Sequence, residues 1–143
     1  MIRAKHALAA VAVCGLCQFA QTAPAELVGE YVGTTRFTTY DLAAGQKPLK
    51  RKSEMRILIY PNTGFMVQYQ RLIEATDNNL TQGEAVFGIE QGGLVAKYPG
   101  ALFTATMQLE KNGRMKGKFS LGDNLNSGAI MDEGSFVVRK VQP

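Results

Sequence analysis

The chain has 143 residues, a formal net charge of +4, 45% apolar residues, one His, two Cys and no Trp. That length allows one domain with its own core, and no shift in composition or low-complexity tract marks a second. So few His and Cys leave little room for metal-centred or thiol chemistry.

The first 25 residues follow the order of a secretory leader. Arg3, Lys5 and His6 give a basic start, Ala7 to Cys17 an unbroken apolar run, and Ala23-Pro24-Ala25 a small-x-small end. A membrane anchor needs about 20 apolar residues, and this run is about half that. A lipid-bearing Cys normally follows a small residue. Val13 before Cys14 and Leu16 before Cys17 fit that pattern poorly. The sequence therefore predicts a signal peptide over 1–25, cut after Ala25 or alternatively after Ala23, and a single exported domain over 26–143, periplasmic or extracellular. Removing Arg3 and Lys5 leaves 14 basic residues against 12 acidic, a net +2. This weak balance gives no reason to expect a nucleic-acid partner.

Beyond the leader, apolar residues recur every second position and the breaks carry turn residues, the pattern of short antiparallel strands. Leu27 to Thr39 is the first, with Tyr31, Gly33, Thr35 and Phe37 on one face. Asp41 to Lys52 reads as irregular. Met55 to Tyr60 and Phe65 to Glu74 form a hairpin about Pro61-Asn62-Thr63-Gly64. Thr76 to Asn79 reads as a break. Ala85, Phe87 and Ile89 mark a strand ending at Gln91-Gly92-Gly93. Leu94 to Tyr98 follows, closed by Pro99-Gly100. Leu102 to Glu110 turns through Lys111-Asn112-Gly113 into Arg114 to Leu121. Asp123 to Gly128 is a loop, and Ile130 to Val141 the last strand.

Eight strand candidates and no helical period predict an all-β fold. An up-and-down antiparallel barrel is favoured over a sandwich, because sequential hairpins build it and closure removes exposed edges. Gly29, Gly33, Gly88, Gly117 and Gly134 inside strand-like runs fit the sharp coiling a small barrel needs. A barrel crossing an outer membrane would need an outward apolar band about 25 Å tall. These strands are short and several carry charge on both faces, so a soluble, non-spanning domain is expected.

Gly29-Glu30-Tyr31 opens the first strand and Arg139 lies on the last. The pair resembles the scheme of lipocalin-like (calycin) barrels, in which a Gly-x-Trp on the first strand is covered by a basic residue from the last. Tyr31 stands here in place of Trp. The resemblance implies a barrel closed at one end by Arg139 over Tyr31, with a small-molecule cavity inside.

Without the leader there is no His and no Cys, so a Ser-His-Asp triad, a Cys-His pair, a His-ligated zinc and thiol redox chemistry are all out of reach. Glu54, Glu74, Glu84, Glu90, Glu110, Asp132 and Glu133 could in principle supply a carboxylate pair, but solvated strand faces and turn ends account for them. Asp132 and Glu133, being adjacent, face opposite sides of a strand. Leu125 breaks the calcium-loop pattern over Asp123 to Gly128, and no nucleotide-binding glycine motif occurs. No catalytic residue, metal or cofactor is expected.

Two binding readings follow. The first is a non-catalytic barrel holding a small apolar or amphipathic ligand inside, lined by Tyr31, Phe37, Tyr69, Phe87, Phe103, Phe119 and Phe136. Arg71 or Arg139 would anchor an anionic group of the ligand. The second is an envelope or extracellular interaction protein. It would meet an anionic partner through the basic loop 47–52, namely Lys47, Lys50, Arg51 and Lys52.

Overall fold

The computed structural model describes residues 22–40, 47–62, 64–70, 78–100, 102–123 and 129–141. The expected signal peptide over 1–25 therefore lies outside the described residues, apart from 22–25.

Nine strands form one antiparallel sheet: β1 (Gly29–Thr39), β2 (Leu49–Ile59), β3 (Gly64–Gln70), β4 (Asn78–Glu84), β5 (Val86–Glu90), β6 (Gly93–Pro99), β7 (Phe103–Leu109), β8 (Arg114–Asp123) and β9 (Ala129–Lys140). A single helical turn, Lys111–Gly113, joins β7 to β8. The spatial order is β4-β3-β2-β1-β9-β8-β7-β6-β5. The first and last strands thus pair along nine positions, from Tyr31 with Lys140 to Thr39 with Asp132.

The two outer strands of that order are consecutive in the chain. Counting antiparallel neighbours from β1 shows that β4 and β5 run in the same direction, separated only by Ala85. They are one long segment that pairs first with β3 and then with β6. Ala85, fully buried, is the point of exchange. Beside it the Tyr98 hydroxyl of β6 donates to the Gln82 carbonyl of β4 at 2.7 Å and spans the seam. The result is a nearly closed up-and-down barrel, as the strand pattern predicts.

Two boundaries differ from the sequence reading. The strand that the sequence places from Ala85 begins at Asn78, inside the Thr76 to Asn79 segment whose turn chemistry predicts a break. Asn78 and Asn79 pair with Gln70 and Tyr69, and this ladder overrides the turn preference of the asparagines. Likewise β2 begins at Leu49, which pairs with Thr39 of β1.

Alternation sets the faces. Tyr31, Phe37, Met55, Ile57, Ile59, Phe65, Val67, Tyr69, Tyr98, Phe103, Met107, Met115, Phe119, Phe136 and Val138 make up most of the buried interior. At three inner positions the strands approach too closely for any side chain. A Cβ on Gly33, Gly117 or Gly134 would lie 2.1, 2.2 and 2.2 Å from a carbonyl oxygen of the neighbouring strand. Gly88, by contrast, has open space around it.

One end of the barrel is closed by the segment preceding β1. Leu27 is fully buried, and the Tyr31 hydroxyl donates to its carbonyl at 2.8 Å. Ala23 packs on the core and its N–H reaches the Asn62 carbonyl. A cut after Ala25 would remove the Ala23 contact and keep Leu27. Lys140 lies over the Tyr31 ring, 5.8 Å from its centre, and donates to the Glu26 carbonyl at 3.0 Å. The resemblance put Arg139 in this place. Tyr31 pairs with Lys140, however, whereas Arg139 pairs with Val32 and Arg114 on the outer face. Adjacent residues of a strand face opposite sides, so only Lys140 can cover the ring.

Candidate functional site: a basic groove on the outer face

The interior and the outer wall offer different chemistry. Inside, the aromatic side chains touch one another. Phe119 is central, with ring centres at 5.0 Å to Tyr69, 5.6 Å to Phe103, 6.2 Å to Phe37 and 6.4 Å to Phe136. Phe37 meets Tyr69 edge-on at 5.1 Å, and Tyr98 stacks on Phe65 at 5.2 Å. These separations are those of packed aromatic pairs. Of the predicted interior residues, Tyr31, Phe37, Tyr69, Phe103, Phe119 and Phe136 are buried. Phe87 is half-buried against the same core. Arg71 lies outside the described residues, and Arg139 is exposed on the outer wall.

Asp132 departs from the reading of the carboxylates as solvated. It is fully buried, and its Oδ2 accepts a hydrogen bond from the Tyr69 hydroxyl at 2.6 Å. Alternation puts Asp132 inside and its neighbour Glu133 outside, as adjacency requires. The Asp132 position, opposite Leu121 of β8 and Thr39 of β1, could not be read from one strand. Burial away from water pushes the Tyr31 hydroxyl up to about 12.

On the outer wall, strand registers gather cations from distant parts of the chain. Lys50, Arg51 and Lys52 are not a loop. They form the start of β2, opposite Thr38, Phe37 and Arg36 of β1. Lys47 precedes the strand and is exposed. Arg36 in turn lies opposite Ser135 of β9, and Ser135 opposite Lys118 of β8. An open groove of about 520 Å³ runs over these strands. Arg36, Thr38, Lys50, Lys118, Glu133 and Ser135 contribute outward-facing positions, whereas Arg51, which also lines the groove, is opposite the buried Phe37 and takes an inward position on β2. A second groove of about 490 Å³ adjoins it over β6 to β9 and shares Lys118 and Ser135.

Among the described residues, Arg36, Lys50, Arg51, Lys52 and Lys118 form no ion pair. The ion pairs present lie elsewhere: Arg56–Glu30 at 2.6 Å, Arg114–Glu110 at 3.0 Å, Lys116–Glu110 at 3.1 Å, and Lys97 with Glu90. Glu133 and Glu54 are the carboxylates nearest the groove cations in the strand registers. Glu133 Oε1 accepts from the Tyr40 hydroxyl at 2.7 Å, a bond that raises the Tyr40 pKa. The groove thus carries more positive than negative charge and offers the hydroxyls of Thr38 and Ser135 beside it.

Sequence reading finds half of this site. The run of basic residues at 47–52 is visible as a cluster. Arg36 and Lys118 are not, because each is a lone outward position on its own strand and only the ladder brings them together. Phe65 and Tyr98 also belong to the aromatic interior, beyond the set the alternation marks as ligand-lining.

No protein-family profile matches the chain, and no curated protein matches it. Among the described residues no helix is long and apolar enough to cross a membrane.

Proposed function

We propose that the protein is an exported, non-catalytic binding module that holds an anionic partner on the outer wall of its barrel. The observation that carries this is the set of outward cations Arg36, Lys50 and Lys118 lining one groove, with Lys52 outward beside Arg36 and Arg51 lining the groove from the inward face of β2, all without ion pairs among the described residues. Cations left unneutralised next to a concave surface raise the local concentration of anions and speed their encounter. Export rests on the leader pattern of residues 1–25. The absence of His and Cys beyond it supports binding rather than catalysis.

Binding to an anionic polymer or surface should weaken steeply as salt rises through the range where the Debye length falls from about 10 to 3 Å. Lys50→Ser/Arg51→Ser/Lys52→Ser and, separately, Arg36→Ser/Lys118→Ser should each lower affinity for polyanions severalfold at unchanged thermal stability. Salt-independent binding, or two triple- and double-substituted proteins that bind like the parent, would remove the proposal.

A second reading, a lipocalin-like barrel with an internal ligand, has one observation in its favour. The end closed by Lys140 over Tyr31 resembles that family's arrangement, and the Tyr69–Asp132 pair gives an apolar interior a polar anchor. The interior rings, however, already face one another. Native mass spectrometry of the exported protein separates the readings: a co-purified small molecule that survives Arg36→Ser/Lys118→Ser belongs to the interior.

A further inference from the structure

Resting on the outer-wall reading, we propose that the anionic partner is an extended glycan carrying a charge on alternate sugars, lying across the strands rather than along them. The registers carry this. Arg36 of β1 is opposite Ser135 of β9, Ser135 opposite Lys118 of β8, Lys118 opposite Thr106 of β7, and Thr106 opposite Lys97 of β6. One crosswise row therefore reads cation, hydroxyl, cation, hydroxyl, cation. All four of Arg36, Ser135, Lys118 and Thr106 are exposed. The two grooves meet at Lys118 and Ser135, so the middle of the row lies along a continuous depression.

Spacing selects the partner. Neighbouring strands are about 4.8 Å apart, so Arg36 and Lys118 stand about 10 Å apart at the backbone. Two sugar rings of an extended chain cover nearly the same distance. An acidic peptide with charges on every second residue repeats at about 6.5–7 Å, and nucleic-acid phosphates are more closely spaced. Neither repeat equals the backbone separation of Arg36 and Lys118. Hydroxyls between the cations suit the neutral sugar between two charged ones. Lys97 is engaged with Glu90, so Arg36 and Lys118 define the alternating row, while Lys52, directly opposite Arg36, adds positive charge at that end without continuing the alternation.

The test is titration calorimetry of the full exported protein with oligosaccharides of alternating uronic acid and N-acetylhexosamine, two to eight sugars long. Affinity should rise until the chain carries two charges two sugars apart and so spans Arg36 to Lys118, at about three to four sugars, and then level off. Lys118→Ser should weaken the hexasaccharide about fivefold, and Ser135→Ala/Thr106→Ala about twofold to threefold. A uronic-acid oligomer charged on every sugar should gain nothing over the alternating one. Affinity independent of length, or a preference for the fully charged oligomer, overturns the inference. So does binding only to phosphatidylglycerol vesicles or to polyphosphate, but salt-sensitive binding of those probes that needs Lys50, Arg51 and Lys52 would leave the broader proposal standing. If none of the probes binds, both fall.

Discussion

Truncating Phe119 asks whether the barrel interior is filled by its own side chains. The ring is 5% exposed and meets four other rings at 5.0 to 6.4 Å. Phe119→Ala removes the transfer free energy of the ring and leaves a cavity its neighbours can only partly fill, a combined cost of about 3–5 kcal/mol. Phe119→Leu keeps most of the volume but loses the aromatic geometry, at about 1–2 kcal/mol. Domains of this size are stable by only about 5–15 kcal/mol. At roughly 4 °C per kcal/mol, the alanine variant should melt about 10–20 °C lower. Urea unfolding followed by far-ultraviolet circular dichroism gives the difference directly. A loss below about 1 kcal/mol would refute the reasoning, since a ring lining an open cavity has fewer contacts to lose. Uptake of an apolar dye by the unsubstituted protein would point the same way.

Three further outcomes follow from the same geometry. Gly134→Ala should destabilise the protein by about 3 kcal/mol or prevent folding, because the new Cβ would lie 2.2 Å from the Arg36 carbonyl oxygen and 2.5 Å from the Phe37 Cα; Gly88→Ala, with open space around it, should stay within about 0.5 kcal/mol of the parent in the same urea assay. Tyr69→Phe removes the donor to the buried Asp132 Oδ2 and should cost about 1–3 kcal/mol, more than a Tyr→Phe change at exposed Tyr60. Tyr31 stays protonated in the fold up to about pH 12 but ionises near 10 once unfolded. The unfolded state therefore holds fewer protons between those values, and the stabilisation present below pH 10 is lost as pH rises to 12. Tyr31→Phe should flatten that part of the melting-temperature profile, and an unchanged slope would assign the loss to other groups.

The strand pattern was legible because one face of each strand meets water and the other the core, which writes a period of two into the sequence. Met55 to Ile59, Phe65 to Tyr69 and Phe103 to Leu109 show it without help from the rest of the chain. The start of β4 was hidden because Asn78 and Asn79 carry turn chemistry locally and gain their pairing only from β3. Arg139 was read one residue away from the side chain that covers Tyr31, since the register between first and last strands is invisible to either strand alone.

By itself, the sequence determined the all-β class, the hairpin about Asn62, the inward set of aromatic residues, the absence of His and Cys from residues 26–143, and the basic cluster ahead of Ser53. Each depends on neighbours a few residues apart. The tertiary structure alone decided that β1 pairs with β9, that the segment through Ala85 changes partners to close the seam, that Lys140 and not Arg139 caps Tyr31, and that Asp132 lies inside. It also decided that Arg36, Ser135 and Lys118 stand side by side, though Arg36 and Lys118 are 82 positions apart in the chain. The reason is physical: alternation fixes which face a residue takes, but cross-strand hydrogen-bond register fixes whom it stands beside, and register is set by packing over the whole barrel.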